Sequence, residues 1–300
     1  VDLAQPGIRL EAMTGGAYVS KEARWPRGRV SDMVTQTEAV AGVNGSFFYL
    51  DTMLPRSMLV RNWEMLRSPG PAENAVFGVS RDGKPYVGVW EWSATLRKAD
   101  VPDDSPVRIS GVNPRTHGRH GVVVYRAPWR HSPGTTPWDE YDVAEGVVEA
   151  VVRTVKLEEP GRITGVITEL RVNQPGVALD EPNMLVVSGR RSGAASLLAN
   201  FKVGDRIAIA YELLPEEGWY GLPGVQDLRT AVSGGVVLVR DGVYGGPHIF
   251  GDTGRHPRAA VGVSYDRSKV YFLVADGRSQ RSVGLTYKEL ADFFLHLGVF

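Results

Sequence analysis

Glycine and proline interrupt this chain so often that few segments can grow into a long helix. The 35 glycines and 19 prolines among 300 residues cut it into short runs rich in Val and Ile, and β-branched side chains favour the pleated, half-buried surface of a sheet. Turn-forming residues between the runs supply the tight reversals. The expected architecture is α+β: a β-rich mixed-sheet core with few helices, plus a β-rich inserted region. A 43% hydrophobic content allows a sizeable core, or one core together with a substantial insert.

Local patterns predict the elements. Val1–Leu10 alternates and reads as a strand, and Ser31 is expected to cap a short helix through Ser31-Asp32-Met33. The run Ala39–Val43 is expected to lead into an Asn44-Gly45 turn. A hairpin is expected from Ala75–Ser80 to Pro85–Val89 across Arg81-Asp82-Gly83, since Asp-Gly accepts the backbone of a tight turn. Residues 94–119 are polar and proline-containing, and 117–137 read as a long loop. Strands are expected at Gly146–Leu157, Ile163–Leu170 and Arg206–Leu214, the last entered from a Gly204-Asp205 turn typical of a small β-barrel-like insert. Further strands are expected at Val236–Arg240, Ala259–Tyr265 and Lys269–Ala275. Thr286 and Glu289 have capping-box spacing; Leu290, Phe293, Phe294 and Leu297 then recur at helical period, with Gly298 at the exit. Residues 77–82 also echo 261–266, which fits either a duplicated hairpin or shared turn grammar.

Charge narrows the function. Lys plus Arg equals Asp plus Glu at 34 each, which argues against a nucleic-acid binder. The absence of cysteine excludes disulfides, thiolate chemistry and Cys-containing zinc sites. No apolar run reaches the roughly 18 residues of a membrane-spanning helix. A chain that opens at Val1 rather than Met is expected to be a processed or trimmed product.

The polar residues with chemical potential sit at predicted strand ends. Asp276-Gly277-Arg278-Ser279 delivers an acid, a flexible link and a planar guanidinium that matches phosphate, although spacing alone favours an ordinary Asp-Gly turn with a solvated Arg. His256-Pro257-Arg258 offers a proton carrier and a second cation, or an exposed loop histidine. Ser233-Gly234-Gly235 can present backbone N–H groups to an anion, or mark close backbone packing. Asn44-Gly45-Ser46 supplies an amide and a hydroxyl at a turn. Trp129, Trp138, Trp219 and Tyr220 can form a sugar-stacking wall or plug local cores. Asp51, Asp252 and Asp276 can ligate a hard cation such as calcium, although their spacing matches no known loop and no metal site is assigned.

Taken in order, these blocks resemble the phosphodiester glycosidase family, which includes the uncovering enzyme of the mannose 6-phosphate lysosomal targeting pathway. The likeness begins at Val1-Asp2-Leu3, Pro6–Leu10 and Val30–Met33. It is clearest at Ala41-Gly42-Val43-Asn44-Gly45-Ser46-Phe47-Phe48, against the family's A-G-I-N-G-x-F-F. It continues at Ser233–Gly235 with Leu238–Gly242, at His256–Gly262, at Asp276–Ser279, and at Gly284–Thr286 with Glu289–Ala291. The middle carries a looser likeness at Val112–Arg115 and Val123–Tyr125. The implied organisation is a discontinuous core of residues 1–90 and 226–300, with a β-rich insert or middle domain at 91–225.

The resemblance implies a hydrolase that cleaves a glycosyl-1-phosphodiester linkage in a glycan or glycoconjugate and leaves a phosphomonoester. Asp276 is then the expected catalytic carboxylate, with His256 a second candidate for proton transfer. Arg258, Arg278 and Ser279 would bind the phosphate; Asn44 and the Ser233-Gly234-Gly235 turn would position the substrate. Family members continue into an N-L-D-G-G-G-S element beyond this chain's last residue, so a C-terminal segment or a second chain is expected to complete the site. The resemblance implies an extracytoplasmic protein, secreted or in the cell envelope, of bacterial or bacteriophage origin. Two other classes fit the same residues: a non-catalytic carbohydrate- or cell-wall-binding module, and a structural protein of a cell surface or virion.

Overall fold

The computed structural model describes residues 1–15, 28–50, 53–70, 75–101, 105–126, 136–137, 146–219, 221–245 and 254–300. It is β-rich, as the punctuation of the chain requires. Strands β1 (Leu59–Arg61), β2 (Glu64–Arg67), β3 (Ala75–Ser80), β4 (Pro85–Lys98), β5 (Val107–Val112), β6 (Gly121–Arg126), β7 (Val147–Glu159), β8 (Arg162–Val172), β9 (Leu185–Arg190), β10 (Arg206–Pro215) and β11 (Leu228–Gly234) form one sheet. Its order is β10-β8-β7-β9-β6-β5-β4-β3-β11-β1-β2, and β10 pairs again with β4. That second pairing closes seven strands into a barrel, mixed because β5 and β6 run parallel. Closure removes two sheet edges that would otherwise expose unpaired backbone.

The long strand β4 belongs to both parts. Residues 85–89 pair with β3, and 90–98 pair with β10. The core follows the same continuity. One apolar cluster runs from barrel residues Val122, Ala150, Leu185 and Ile209 through Trp90 to Val76 and Ala231 of the outer strands. Helix α2 (Ser192–Asn200) adds Ala194 and Leu197 to it. A second cluster, including Leu54, Leu59, Leu66 and Tyr125, fills the other face.

Two short sheets complete the fold: β12 (Val239–Arg240) with β13 (Val243–Tyr244), and the hairpin β14 (Arg258–Val263) with β15 (Val270–Ala275). Alternation decides what the hairpin touches. Val261, Val270 and Phe272 join Phe77 and Val79 of β3 in one cluster. Ala260, Tyr271 and Leu273 face helix α3 (Tyr287–His296), whose Leu290, Ala291 and Phe294 are buried. Gly262 permits that approach, because a Cβ there would sit 2.6 Å from Val299 and 2.9 Å from Phe294.

Several expectations change on folding. Residues 1–10 form no strand and make only an isolated bridge, Asp2 to Lys269. Helix α1 (Val30–Gln36) starts one residue before Ser31, so Arg29 occupies the cap and no side chain bonds the end. Residues 39–45 are irregular. The polar stretch from 94 holds the last five residues of β4 and all of β5, and the expected loop at 117–137 contains β6. Barrel pairing stabilises those segments from neighbours distant in sequence, which local polarity conceals. In contrast, the capping box at Thr286 and Glu289 forms as spaced, and Gly298 takes φ +76° just past the helix.

Candidate functional site

The predicted polar blocks collect into two groups that share one end of the outer sheet. In the first, Ser233, the last residue but one of β11, lies opposite Val76, and its backbone N–H donates to Met58 O. Its side chain is buried, and Oγ has no hydrogen-bond partner among the described residues. Gly234 pairs with Ala75. The loop carrying Asn44 lies against this strand end, since any side chain at Gly45 would run into Val232 and one at Gly235 would meet the Phe47 ring at 3.5 Å. Asn44 itself is exposed, as are Phe47 and Phe48.

The second group is built around the backbone of His256. His256 N–H donates to Leu285 O at 3.2 Å and Leu285 N–H returns the bond at 3.0 Å. Two glycines make room for this crossing. A Cβ on Gly277 would lie 2.6 Å from Pro257 N, and one on Gly284, at φ +89°, would strike His256 O. The three blocks His256–Arg258, Asp276–Ser279 and Gly284–Thr286 therefore meet at one point. There Arg278, with φ +57°, brings its Nη2 to 3.5 Å from His256 Nδ1.

The side chains around His256 differ in how committed they are. Asp276 is exposed, and its carbonyl accepts from Ser282 Oγ at 2.6 Å. Ser279 closes a tight turn with Ser282, whose N–H donates to Ser279 Oγ at 3.2 Å. Arg258 is held by its surroundings: Nε donates to Leu285 O, Nη2 donates to Gly254 O, both at 3.2 Å, and the guanidinium stacks 3.9 Å from the Tyr287 ring. Arg278 is the guanidinium that projects outward.

The two groups lie at the same end because the hairpins β3–β4 and β14–β15 stack in the same sense. Their turns share one design. Ser80 Oγ bonds Asp82 and accepts from Lys84 N–H at 3.1 Å; Ser264 Oγ bonds Asp266 at 2.7 Å and accepts from Lys269 N–H at 3.0 Å. Arg267, in the second turn, stacks 4.3 Å over Tyr86, just past the first turn. With turns together and β3 and β14 equal at 6 residues, the open ends face the same way. Packed sheets lie about 10 Å apart, which sets the scale of the gap between Gly234 and the His256–Asp276 group.

Of the proposed stacking wall, Trp219 carries the Arg240 guanidinium over its ring at 4.1 Å, while Trp129, Trp138 and Tyr220 lie outside the described residues. Asp51 and Asp252 lie outside them too. Among the described residues, no three His, Asp or Glu side chains group as a metal-ligand set.

A third polar group escaped the sequence reading. Asn113, fully buried at φ +48°, donates to Leu66 O at 2.7 Å and accepts from Arg126 N–H at 2.9 Å. Arg67, 6% exposed, donates from Nη1 to Asn113 O. Nearby, Tyr49 is flanked by Arg115 at 4.6 Å and Arg56 at 5.6 Å. Only the resemblance at Val112–Arg115 drew attention to any of these positions.

The family model for phosphodiester glycosidase matches residues 146–299, a little over half of the chain, and includes the blocks at Ser233, His256 and Asp276. The chain belongs to the phosphodiester glycosidase family. Two solved structures share its fold. A hypothetical protein from Synechocystis superposes with TM-score 0.69 at 16% identity, over 100% of this chain and 51% of its own. A "putative exported protein" from Burkholderia pseudomallei K96243 gives TM-score 0.68 at 20% identity, over 100% of this chain and 65% of its own. The chain thus spans about half the length of the first and under two thirds of the second. No curated protein matches it.

Proposed function

We propose that this protein hydrolyses a glycosyl-1-phosphodiester, releasing the sugar and leaving a phosphomonoester, and that it works outside the cytoplasm. The observation that carries this reading is the convergence of Asp276, His256 and Arg278 on one hairpin end, beside the Gly234 strand end and its Asn44 loop. Family membership supplies the reaction class, and the name of the Burkholderia relative supports export. Among the described residues no helix is long and apolar enough to cross a membrane.

The chemistry follows from the side chains. Phosphate is a good leaving group, so strong proton donation is not demanded. Cationic stabilisation of charge on the departing oxygen contributes more, and Arg278 is the outward-facing guanidinium beside His256. Arg258 holds the strand end from which Arg278 is presented. Asp276 is the carboxylate assigned to the reacting sugar, and His256 is the second candidate for proton transfer. Asn44 and the Ser233–Gly235 strand end position the sugar. A C-terminal segment or second chain would contribute the other carboxylate that glycosidases generally use.

The test is an assay for phosphomonoester release from a panel of sugar-1-phosphodiesters, using the longest natural form of the protein. Asp276→Asn should lower turnover at least about a hundredfold, as loss of a positioned acid or base does, with the circular dichroism spectrum unchanged. Near-normal turnover in that variant would remove Asp276 from the mechanism. Saturable glycan binding without turnover would favour the carbohydrate-binding module instead.

A further inference from the structure

We propose that Arg67 is the floor of an oxyanion subsite that takes the phosphate group of a ligand, with the Tyr49 ring, Arg115 and Arg56 forming its walls. The starting point is a buried charge for which no ion pair is found among the described residues. Arg67 is 6% exposed, and its Nε is buried with no hydrogen-bond partner among the described residues. Among the described residues its hydrogen bond goes to a neutral carbonyl, Asn113 O, and the groups acting on it electrostatically are Tyr49 and Tyr125. Burial lowers its pKa to about 10, which still leaves it fully charged at neutral pH.

Such an arrangement is costly in a resting protein, because a desolvated cation needs a compensating anion or several good acceptors. Here two further guanidiniums crowd the same tyrosine, at 4.6 and 5.6 Å from its ring. Arg56 and Arg115 are exposed, so a ligand reaches them from solvent while Arg67 lies behind. The loop is built to hold this geometry: Tyr49 N–H donates to Leu54 O at 2.9 Å and Arg56 N–H donates to Phe47 O at 2.9 Å. Planar guanidiniums meet phosphate oxygens through paired N–H donors, which makes a phosphate the fitting occupant.

Register ties this subsite to the site above. Arg67 of β2 lies opposite Leu59 of β1 across a β-bulge, and Leu59 lies opposite Val232 of β11. Arg67 and the Val232 floor of the Asn44 loop are therefore two strands apart, about 10 Å. Arg278 faces the scissile phosphodiester of the hydrolase reading, so the phosphate that Arg67 takes is a second one, on the same substrate or its product, and the assignment rests on that reading for its biological ligand.

The experiment measures binding of inorganic phosphate and of dimethyl phosphate by calorimetry at matched ionic strength, in the wild type, Arg67→Met and Arg115→Ala. Arg115 is exposed, so its variant should fold normally even if Arg67→Met does not. Phosphate binding weakened roughly ten- to a hundredfold in both variants is expected for loss of one charge-assisted contact. A wild type that binds neither anion, or variants that bind as it does, would overturn the subsite. Sugar release that survives with phosphate binding unchanged by Arg67→Met sinks the subsite and leaves the hydrolase reading standing. Phosphate binding lost in both variants, in a protein that hydrolyses none of the panel, does the reverse.

Discussion

His117 shows how a single buried side chain ties stability to pH. Its ring lies between two carbonyls, with Nε2 2.9 Å from Ser188 O and Nδ1 2.8 Å from Gly118 O. Burial pushes its pKa down to about 4. The folded protein therefore keeps it neutral where an unfolded histidine would take up a proton, near 6.5. Its contribution is complete above about pH 6.5 and drains away as pH falls toward 4, about 3 kcal/mol in all. Urea unfolding at pH 7, 5.5 and 4 should show that loss in the wild type and a flatter profile in His117→Gln. Comparing the two proteins isolates His117, because Glu149 is common to both. Burial raises the Glu149 carboxyl, so that group titrates with the opposite sign, losing stability as pH rises past the ordinary carboxylate range.

At the scale of elements, helix α3 is where local code and site meet. Thr286 Oγ1 accepts from Glu289 N–H at 3.2 Å, and Glu289 reaches back to Thr286 N–H at 2.9 Å. The residue just before the cap, Leu285, is the one that brackets His256. Thr286→Ala should cost about 1 kcal/mol in chemical denaturation, the usual worth of such a cap. It should also loosen the Leu285–His256 pair, read as faster amide exchange at both residues than in the wild type. Unchanged exchange there would separate the cap from the site. The twin turns at Ser80 and Ser264 belong to this scale as well. The sequence echo between 77–82 and 261–266 becomes two hairpins with the same Ser–Asp network, stacked on one another, and their common direction is what aligns the candidate site.

For the whole molecule, β4 is the decisive strand, because barrel and outer sheet cannot unfold separately while they share it. Trp90 stands at the junction, 3% exposed, with Nε1 donating to Pro223 O at 2.8 Å. Trp90→Ala should destabilise the protein by about 3 to 5 kcal/mol. Circular dichroism and tryptophan fluorescence should follow one coincident transition in both proteins. Two separated transitions in the wild type would mean that the shared strand does not couple the halves.

What the sequence determined by itself was everything set by near neighbours: the β-rich class, the Asp-Gly hairpin, strands β7, β8, β10, β14 and β15, the capping box at Thr286, and the ordered polar blocks that resemble one family. These signals act over a few residues through backbone sterics, alternation and side-chain caps. Strands β5, β6 and β11, the closure of β10 onto β4, and the burial of Arg67 and Asn113 were decided only in the tertiary structure. Each depends on a partner tens of residues or more away in the chain: β10 meets β4 across more than 100 residues, and Arg67 meets Asn113 across 46. The gathering of His256, Gly277 and Gly284 is of the same kind. The glycines are visible in the sequence, but what they make room for is a backbone that only the fold brings near.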